Sequence, residues 1–471
     1  MKFLGVPIGT ASFCNDVTAR RAAKAQKTLD ALSSLDNCQL ALYLLRHCCS
    51  FGKLAFSLRN TAPRAHEAAL EEFDKSVRHC FENFSGLHPD ESEWNQAGLA
   101  TRKGGLGLRS TLRHSRPAYL ASRSTCQRKC IELDHNHSWE INDPTSAVAE
   151  ATAWFNATVE ADCQVPHDVA DALPQSQLSA ALDSAMLTAL QSSPDCTLRR
   201  KGHLILLQQH GAGAWLQAQP AKAFGNDFND ALFIVALRRR LGMKVRSRPV
   251  FCPFCDCVSD EFGDHDICCA GGGDRTKRHH RLRNKGQAFC LSAGLNSELE
   301  KPNLLAPRPS EGSRAEDGAS IDNARRASSR RPADVYVPNW FLGGPAALDF
   351  AVTNGIRNTM LRASVNDAEA AACAYENYKR SFLNTAEQCR QEGLEFVPVV
   401  MEGCSGAWGP AARKVWSHIA KLVASKTGED SSKVSERHQQ SLSICVQREN
   451  ARAIARRQGL PSWEQSILGM P

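Results

Sequence analysis

The chain has 471 residues, of which 42% are hydrophobic and 23% charged. That composition excludes a fully disordered or fibrous protein, and the length suits several domains with sizeable cores. A formal net charge of +7 permits a nucleic-acid partner without requiring one.

The opening run, KFLGVPIG from Lys2 to Gly9, reads as a strand entering a tight turn, a starting point that suggests a fragment of a longer protein. It lacks the apolar segment and cleavage site of a secretory signal. Residues 16–84 read as helical, with Leu40, Leu44, Cys48 and Phe51 on one face and Pro63 ending that run. The Gly-rich segment 101–110 predicts a turn or loop. Residues 131–197 are polar and rich in Ala and Ser, as in a connector with short helices. Helical periodicity returns over 203–241, with Trp215, Phe228, Leu232, Val235 and Leu241 as core candidates. The longest apolar stretch of this middle region, 231–237, falls far short of the roughly 20 residues that span a bilayer. Residues 306–331 carry almost no apolar side chains and predict disorder or a long surface loop. Two strand-like runs follow, 334–337 and 346–353. A helix is expected over 366–391 with Asn366 as N-cap and Asp367 and Glu369 in its first turn. A strand at 394–401 and closing helices complete the chain, and no internal repeat is evident.

Nineteen cysteines without a secretory signal point to reduced thiols and a metal site in an intracellular chain, nuclear or cytoplasmic. Cys252, Cys255, His265 and Cys269 have the C-x2-C-x9-H-x3-C spacing of a tetrahedral structural Zn2+ site, with Cys257, Cys268 and His279 as competing ligands. The other reading is a set of buried free thiols with surface histidines. Immediately after comes a basic helix from 275 to 293. Arg275, Lys277, Arg278, Arg281, Arg283 and Lys285 form an acid-free run suited to phosphates of DNA or RNA, or simply a solvated face.

Asp334 opens the first strand-like run and Asp349 sits inside the second. Period-two alternation places Leu348, Phe350 and Val352 on one face and Asp349 on the other with Ala347 and Ala351. An Asp inside an apolar strand is expensive to bury unless it pairs or binds a cation. A hairpin through Gly343 and Gly344 would bring the two carboxylates together as hard oxygen ligands for Mg2+. Alternatively, Asp334 caps a strand and Asp349 pairs with an arginine.

The order CxxC…H…C, a basic RHH segment, then RPADV…AALDFAVT resembles the C-terminal region of non-long-terminal-repeat retrotransposons that carry a restriction-like endonuclease. In that family a zinc knuckle precedes a PD-(D/E)xK nuclease. Pro332-Ala333-Asp334 looks like the family's PD with one residue inserted, and Asp349 like its second acid. The usual lysine two residues later is absent, because position 351 is Ala. Lys379, in YENYKR, looks like the lysine this group moves onto the following helix. The segment FVPVVMEGCSGAWG also looks like the family, with Glu402 an acid at the edge of the site. The N-terminal KFLGVPIG resembles the strand that ends a reverse-transcriptase palm and begins the primer grip. The helices to about Phe84 resemble a thumb, and TRKGGLG the segment after it. Residues 126–200 resemble nothing in that family.

The resemblance implies an α+β or α/β multidomain protein. It divides the chain into a primer-grip and thumb-like helical region (1–125), a helical connector (126–248), the zinc knuckle with its basic helix (249–300), a disordered linker (301–332), a restriction-endonuclease-like α/β domain with a mixed sheet (333–425) and C-terminal helices (426–471). The implied activity is a Mg2+-dependent DNA endonuclease in which Asp334 and Asp349 hold metal and Lys379 assists. The alternative is a catalytically inactive nucleic-acid-binding remnant of a reverse transcriptase. The partner is DNA or RNA, with no membrane and no small-molecule substrate. Polymerisation is not expected, because the chain has no Asp-Asp dipeptide for the polymerase metals.

Overall fold

The structure, a computed structural model, describes residues 1–139, 141, 143–167, 169, 171–305 and 332–458. It is helix-rich with small sheets and divides into two compact units. The first comprises Met1–Thr197 with Asp227–Met243, the second Leu198–Asn226 with Lys244–Pro471. The segment 306–331 lies outside the described residues. Among the described residues no helix is long and apolar enough to cross a membrane.

The first unit starts with a two-residue hairpin, β1 (Lys2–Phe3) and β2 (Val6–Pro7), and is otherwise helical. Helix Ala11–Ser33, N-capped by Thr10, packs on helix Glu67–Ser85. The latter buries Leu70, Phe73, Val77 and Phe81. The face expected through Leu40, Leu44, Cys48 and Phe51 is not the buried one. Ala41, Leu42, Leu45 and Cys49 are inside, and Cys48 is exposed, as helix Cys38–Leu44 passes into a π-helical turn at Leu45–Cys49. The wider turn rotates the side chains away from the 3.6-residue period.

The Gly-rich segment forms a turn as expected. Gly104 has φ +93°, and a Cβ on Gly105 would lie 2.0 Å from the Leu99 carbonyl oxygen. The expected boundary at 125/126 falls inside the 23-residue helix Thr111–Leu133. That helix shares a core with helices Ala147–Thr158 and Gln175–Ser192 around Leu120, Phe155 and Leu182. Much of the supposed connector is therefore packed structure. Helix Asp230–Leu241 also belongs here: the Asp230 carboxylate accepts from the Cys38 N–H at 2.9 Å, and the Gln96 amide donates to the Arg240 carbonyl at 2.8 Å. These pairings span more than a hundred residues, which local sequence pattern cannot reveal.

The second unit contains a small hairpin, β3 (Val250–Phe251) and β4 (Val258–Ser259), and a four-stranded sheet. Its strands are β5 (Glu298–Leu299), β6 (Val335–Val337), β7 (Ala346–Thr353) and β8 (Glu395–Glu402), in the order β5-β6-β7-β8. The first two pairings are antiparallel and β7–β8 is parallel, so the sheet is mixed. One face, with Leu348 and Phe350, packs under helices Asp274–Ser292, Pro410–Thr427 and Ser431–Arg457, centred on Trp416. The other face meets helices Ala370–Ser381 and Thr385–Gln391 through Ala351, Ala372, Val400 and Cys389. The alternation expected for 346–353 is thus the one that forms. The helix expected over 366–391 is instead three pieces. Asn366 ends helix Leu361–Asn366, and Asp367 turns the chain by accepting from the Glu369 N–H at 2.9 Å. Leu383 and Asn384, both at positive φ, break the helix a second time.

Candidate metal centre and acidic cluster

The metal centre grows from a tight local frame. The β3–β4 hairpin is closed by the Cys252 N–H donating to the Cys257 carbonyl at 2.9 Å, which places Cys252 and Cys255 side by side. Asp260 then turns the chain toward the third ligand: its carboxylate accepts from the backbone N–H groups of Phe262, Asp264 and His265. Gly271 and Gly272 fold over the knuckle, where a Cβ on Gly271 would sit 2.0 Å from the Phe254 carbonyl oxygen. The C-terminal helix completes the frame, with Arg456 and Arg457 over the Phe254 ring and in ion pairs with Asp274.

The result is four converging donors. Cys252, Cys255, His265 and Cys269 offer ligand atoms all within 4.8 Å of one another, a group that could hold a metal ion. The Sγ atoms of Cys252 and Cys269 are 3.8 Å apart, those of Cys255 and Cys269 3.6 Å, and Cys255 Sγ lies 3.4 Å from His265 Nε2. A tetrahedron with metal–sulfur bonds of about 2.3 Å has sulfur–sulfur edges near 3.8 Å, so the spacing fits one ion. Burial pushes the Cys252 thiol up, but the Phe254 backbone N–H, His265 and Arg457 outweigh it and bring the thiol down to about 6. The competing ligands are placed elsewhere. Cys257 is exposed, Cys268 accepts from the Asn354 amide at 3.1 Å, and His279 lies against Asp334.

The second cluster is assembled from distant segments. The β6–β7 register pairs Val335 with Leu348, so its continuation sets Asp334 opposite Asp349 on the same face of the sheet. β6 ends there, and the Asp334 side chain replaces the missing ladder partner by accepting from the Phe350 N–H at 2.7 Å. His279 Nε2 lies 3.1 Å from the other Asp334 oxygen. Lys379, on helix Ala370–Ser381, reaches the Asp349 oxygens at 2.9 and 3.2 Å. Burial, with the neighbouring Asp334, raises the Asp349 carboxyl to about 6 against the opposing pull of Lys379. Asp349 thus pairs with a lysine, not an arginine. His279 was not expected here; its place one to two helical turns along the basic helix from Arg275, beside a strand opening on Asp334, was the available signal.

Two expectations about charge need correction. Glu402 is not an acid at the edge of the site. It is buried, its carboxylate accepts from the N–H groups of Gly355, Cys404 and Ser405, and it caps a turn. It pairs with Thr353, four positions along β7 from Asp349, or about 13 Å along a strand. The basic run is not one phosphate-facing stripe either. Arg278 is buried and donates to the Ile267 carbonyl and to Asn450, Arg283 is buried against Glu300, and Arg281 bonds Glu449 at 2.5 Å. Lys285 is partly buried, and burial lowers its ammonium pKa. Arg275 is exposed and Lys277 partly so.

No family model matches this sequence, and neither does any curated protein with which it was compared.

Proposed function

We propose that the second unit is a metal-dependent DNA endonuclease of restriction-like architecture, with the Cys/His knuckle as a structural Zn2+ site. The observation that carries this reading is the meeting of Asp334, Asp349 and Lys379 from two strands and a helix at one place on a mixed sheet. The donor set fits: two carboxylates are the protein share that Mg2+ ordinarily takes, the remainder coming from water and phosphate. When bound, such an ion supplies Lewis acidity and activates water toward a scissile phosphate.

The chain's own groups have separate tasks. The Phe350 N–H and His279 fix the Asp334 carboxylate in orientation. Lys379 neutralises Asp349 while the site is idle, and swings toward the charge that develops on the phosphorus-bound oxygens as the water attacks. The three sulfurs and one imidazole of the knuckle suit zinc, and four protein ligands leave it no open position, so its role is structural. Arg275 and Lys277, at the start of the basic helix and next to the knuckle, are the groups of that run positioned for DNA phosphates.

Plasmid nicking with Mg2+ tests the reading. Asp334→Ala and Asp349→Ala should abolish nicking, and Lys379→Ala should slow it on the order of 100-fold. Equal nicking by wild type and Asp349→Ala would sink the assignment. One observation favours a second reading, a DNA-binding module without cleavage: both Asp349 oxygens lie on the Lys379 ammonium. A wild-type protein that binds DNA yet never nicks it would establish that alternative.

A further inference from the structure

Beside Lys379 the surface carries an aromatic feature whose outer part neither the core nor the acidic cluster uses. Helix Ala370–Ser381 presents Tyr375, Tyr378 and, just past its end, Phe382. At about 100° per residue, Tyr378, Phe382 and Lys379 fall near −60°, −20° and +40° relative to Tyr375, so all four share one side of the helix. The rings form a continuous row, with Tyr375–Tyr378 centroids 5.6 Å apart and Tyr378–Phe382 centroids 5.3 Å apart. The inner end is anchored, since Tyr375 packs against Ala351, Ala372 and Val400 beneath the helix. The outer end is open to solvent: Tyr378 is 49% exposed and Phe382 48%. The backbone holds it out at some cost. Leu383 and Asn384 both sit in the left-handed region, unfavourable for Leu in particular, and the kink leaves Leu383 exposed as well.

Resting on the endonuclease reading above, we propose that this row is a stacking platform for unpaired bases, so that the substrate of the acidic cluster is DNA with a single-stranded stretch beside the scissile phosphate. Successive aromatic side chains next to cationic groups are the recurring solution for binding single strands, because every base has a face that stacks and every linkage carries a charge. The cation on the same side as the rings is Lys379, whereas Arg380, the next residue, falls near +140° and lies 3.6 Å from Glu376. A protein partner would meet a patch of a few side chains bounded by that charge. A duplex would keep its bases stacked and present only phosphates to the rings. Lys379, on the same side of the helix as the row, touches Asp349 with its ammonium, so a strand laid along the rings runs beside the proposed chemistry.

The test is fluorescence anisotropy on the full chain without added magnesium, using a labelled single-stranded DNA of about 12 nucleotides and the duplex of the same sequence. Tyr378→Ala and Phe382→Ala should each weaken single-strand binding on the order of 10-fold while leaving duplex binding unchanged. Tyr378→Phe keeps the ring and should bind as wild type, which separates stacking from loss of the hydroxyl. The double alanine variant binding the single strand as wild type does would overturn the platform, as would equal losses on both DNAs. Nicking assays of the same variants keep the two readings apart. Stacking without nicking by wild type upholds the platform and removes the nuclease; unchanged nicking of a gapped plasmid by the double variant removes the platform and upholds the nuclease.

Discussion

The metal centre and the acidic cluster lie in one unit and are built in opposite ways. All four metal-centre donors come from between residues 252 and 269, and each turn that aims them is made by a neighbour in sequence: the hairpin, the Asp260 cap, the glycines. The acidic cluster draws on residues 279, 334, 349 and 379, which meet only after the sheet and two of its helices have packed. Their electrostatics differ accordingly. The neighbouring Phe254 N–H and His265, joined by Arg457 from the C-terminal helix, hold the Cys252 thiol low, down to about 6, ready for a metal. Packing drives the Asp349 carboxyl high, up to about 6, and so stores an unfavourable charge. The first arrangement favours the fold once loaded; the second works against it.

The largest effect is expected where the donors are local. Cys252→Ser or Cys269→Ser should reduce bound zinc from one ion per chain to none, read by elemental analysis. The loss is large because binding at structural zinc sites is worth on the order of 10 kcal/mol and doubles as folding energy. The region from 250 to 273 should then lose its protection from proteolysis, while Asp349→Ala should leave the zinc untouched. Wild-type protein without zinc and with all thiols reactive would break the comparison at its strongest point.

The same contrast explains what could be read from sequence. The metal-centre spacing was legible because ligand geometry there is a property of eighteen consecutive residues. The face of β7 was legible because a strand alternates strictly, and Asp349 interrupts an otherwise apolar run. Lys379 was reached only through a family resemblance, since nothing about a lysine in YENYKR indicates which strand it will lie over. The basic run departs from a single stripe for a reason visible in the sequence itself. At about 100° per residue its six cations cover roughly two thirds of the helix circumference, too wide for one exposed face, so some had to turn inward and find partners such as Asn450 and Glu300. Asn366 reads as a helix start because Asn and Asp both cap. The structure gives that turn to Asp367 and lets the Asn366 amide donate back to the Arg362 carbonyl at 3.2 Å.

A pH series sharpens the electrostatic half of the comparison. Asp349 titrates near 6 in the folded chain and near 3.9 when unfolded. Between those values the folded state holds a proton the unfolded state has released, so stability falls as pH rises from about 4 to 6 and is flat outside that window. The side chain is 16% exposed, and the loss should come to about 3 kcal/mol. It is measured as the difference in denaturant stability between wild type and Asp349→Asn without added magnesium, so that other titrations cancel. Magnesium at pH 7 should then raise the melting temperature of wild type and leave that of Asp349→Asn unchanged. A difference curve that is flat across pH 4 to 6, or that slopes the other way, would show that Asp349 carries no stored charge.

The smallest effect belongs to the helix that joins the two sites. Helix Asp274–Ser292 begins at the metal centre, where Asp274 pairs with Arg456 and Arg457, and carries His279 to Asp334. Its basic residues therefore divide into those that hold the fold and those left exposed. Arg275 is exposed, so Arg275→Ala should leave stability unchanged and lower the salt slope of duplex binding by about 1 on a log–log plot, the share of one phosphate contact. Arg278, buried with its guanidinium on Asn450 and the Ile267 carbonyl, should behave in the reverse way. Arg278→Ala strands those acceptors and opens a cavity, so thermal stability should fall while whatever remains folded keeps the wild-type slope. If Arg275→Ala leaves the slope intact, the phosphates lie along another surface and the basic helix serves only to couple the metal centre to the acids.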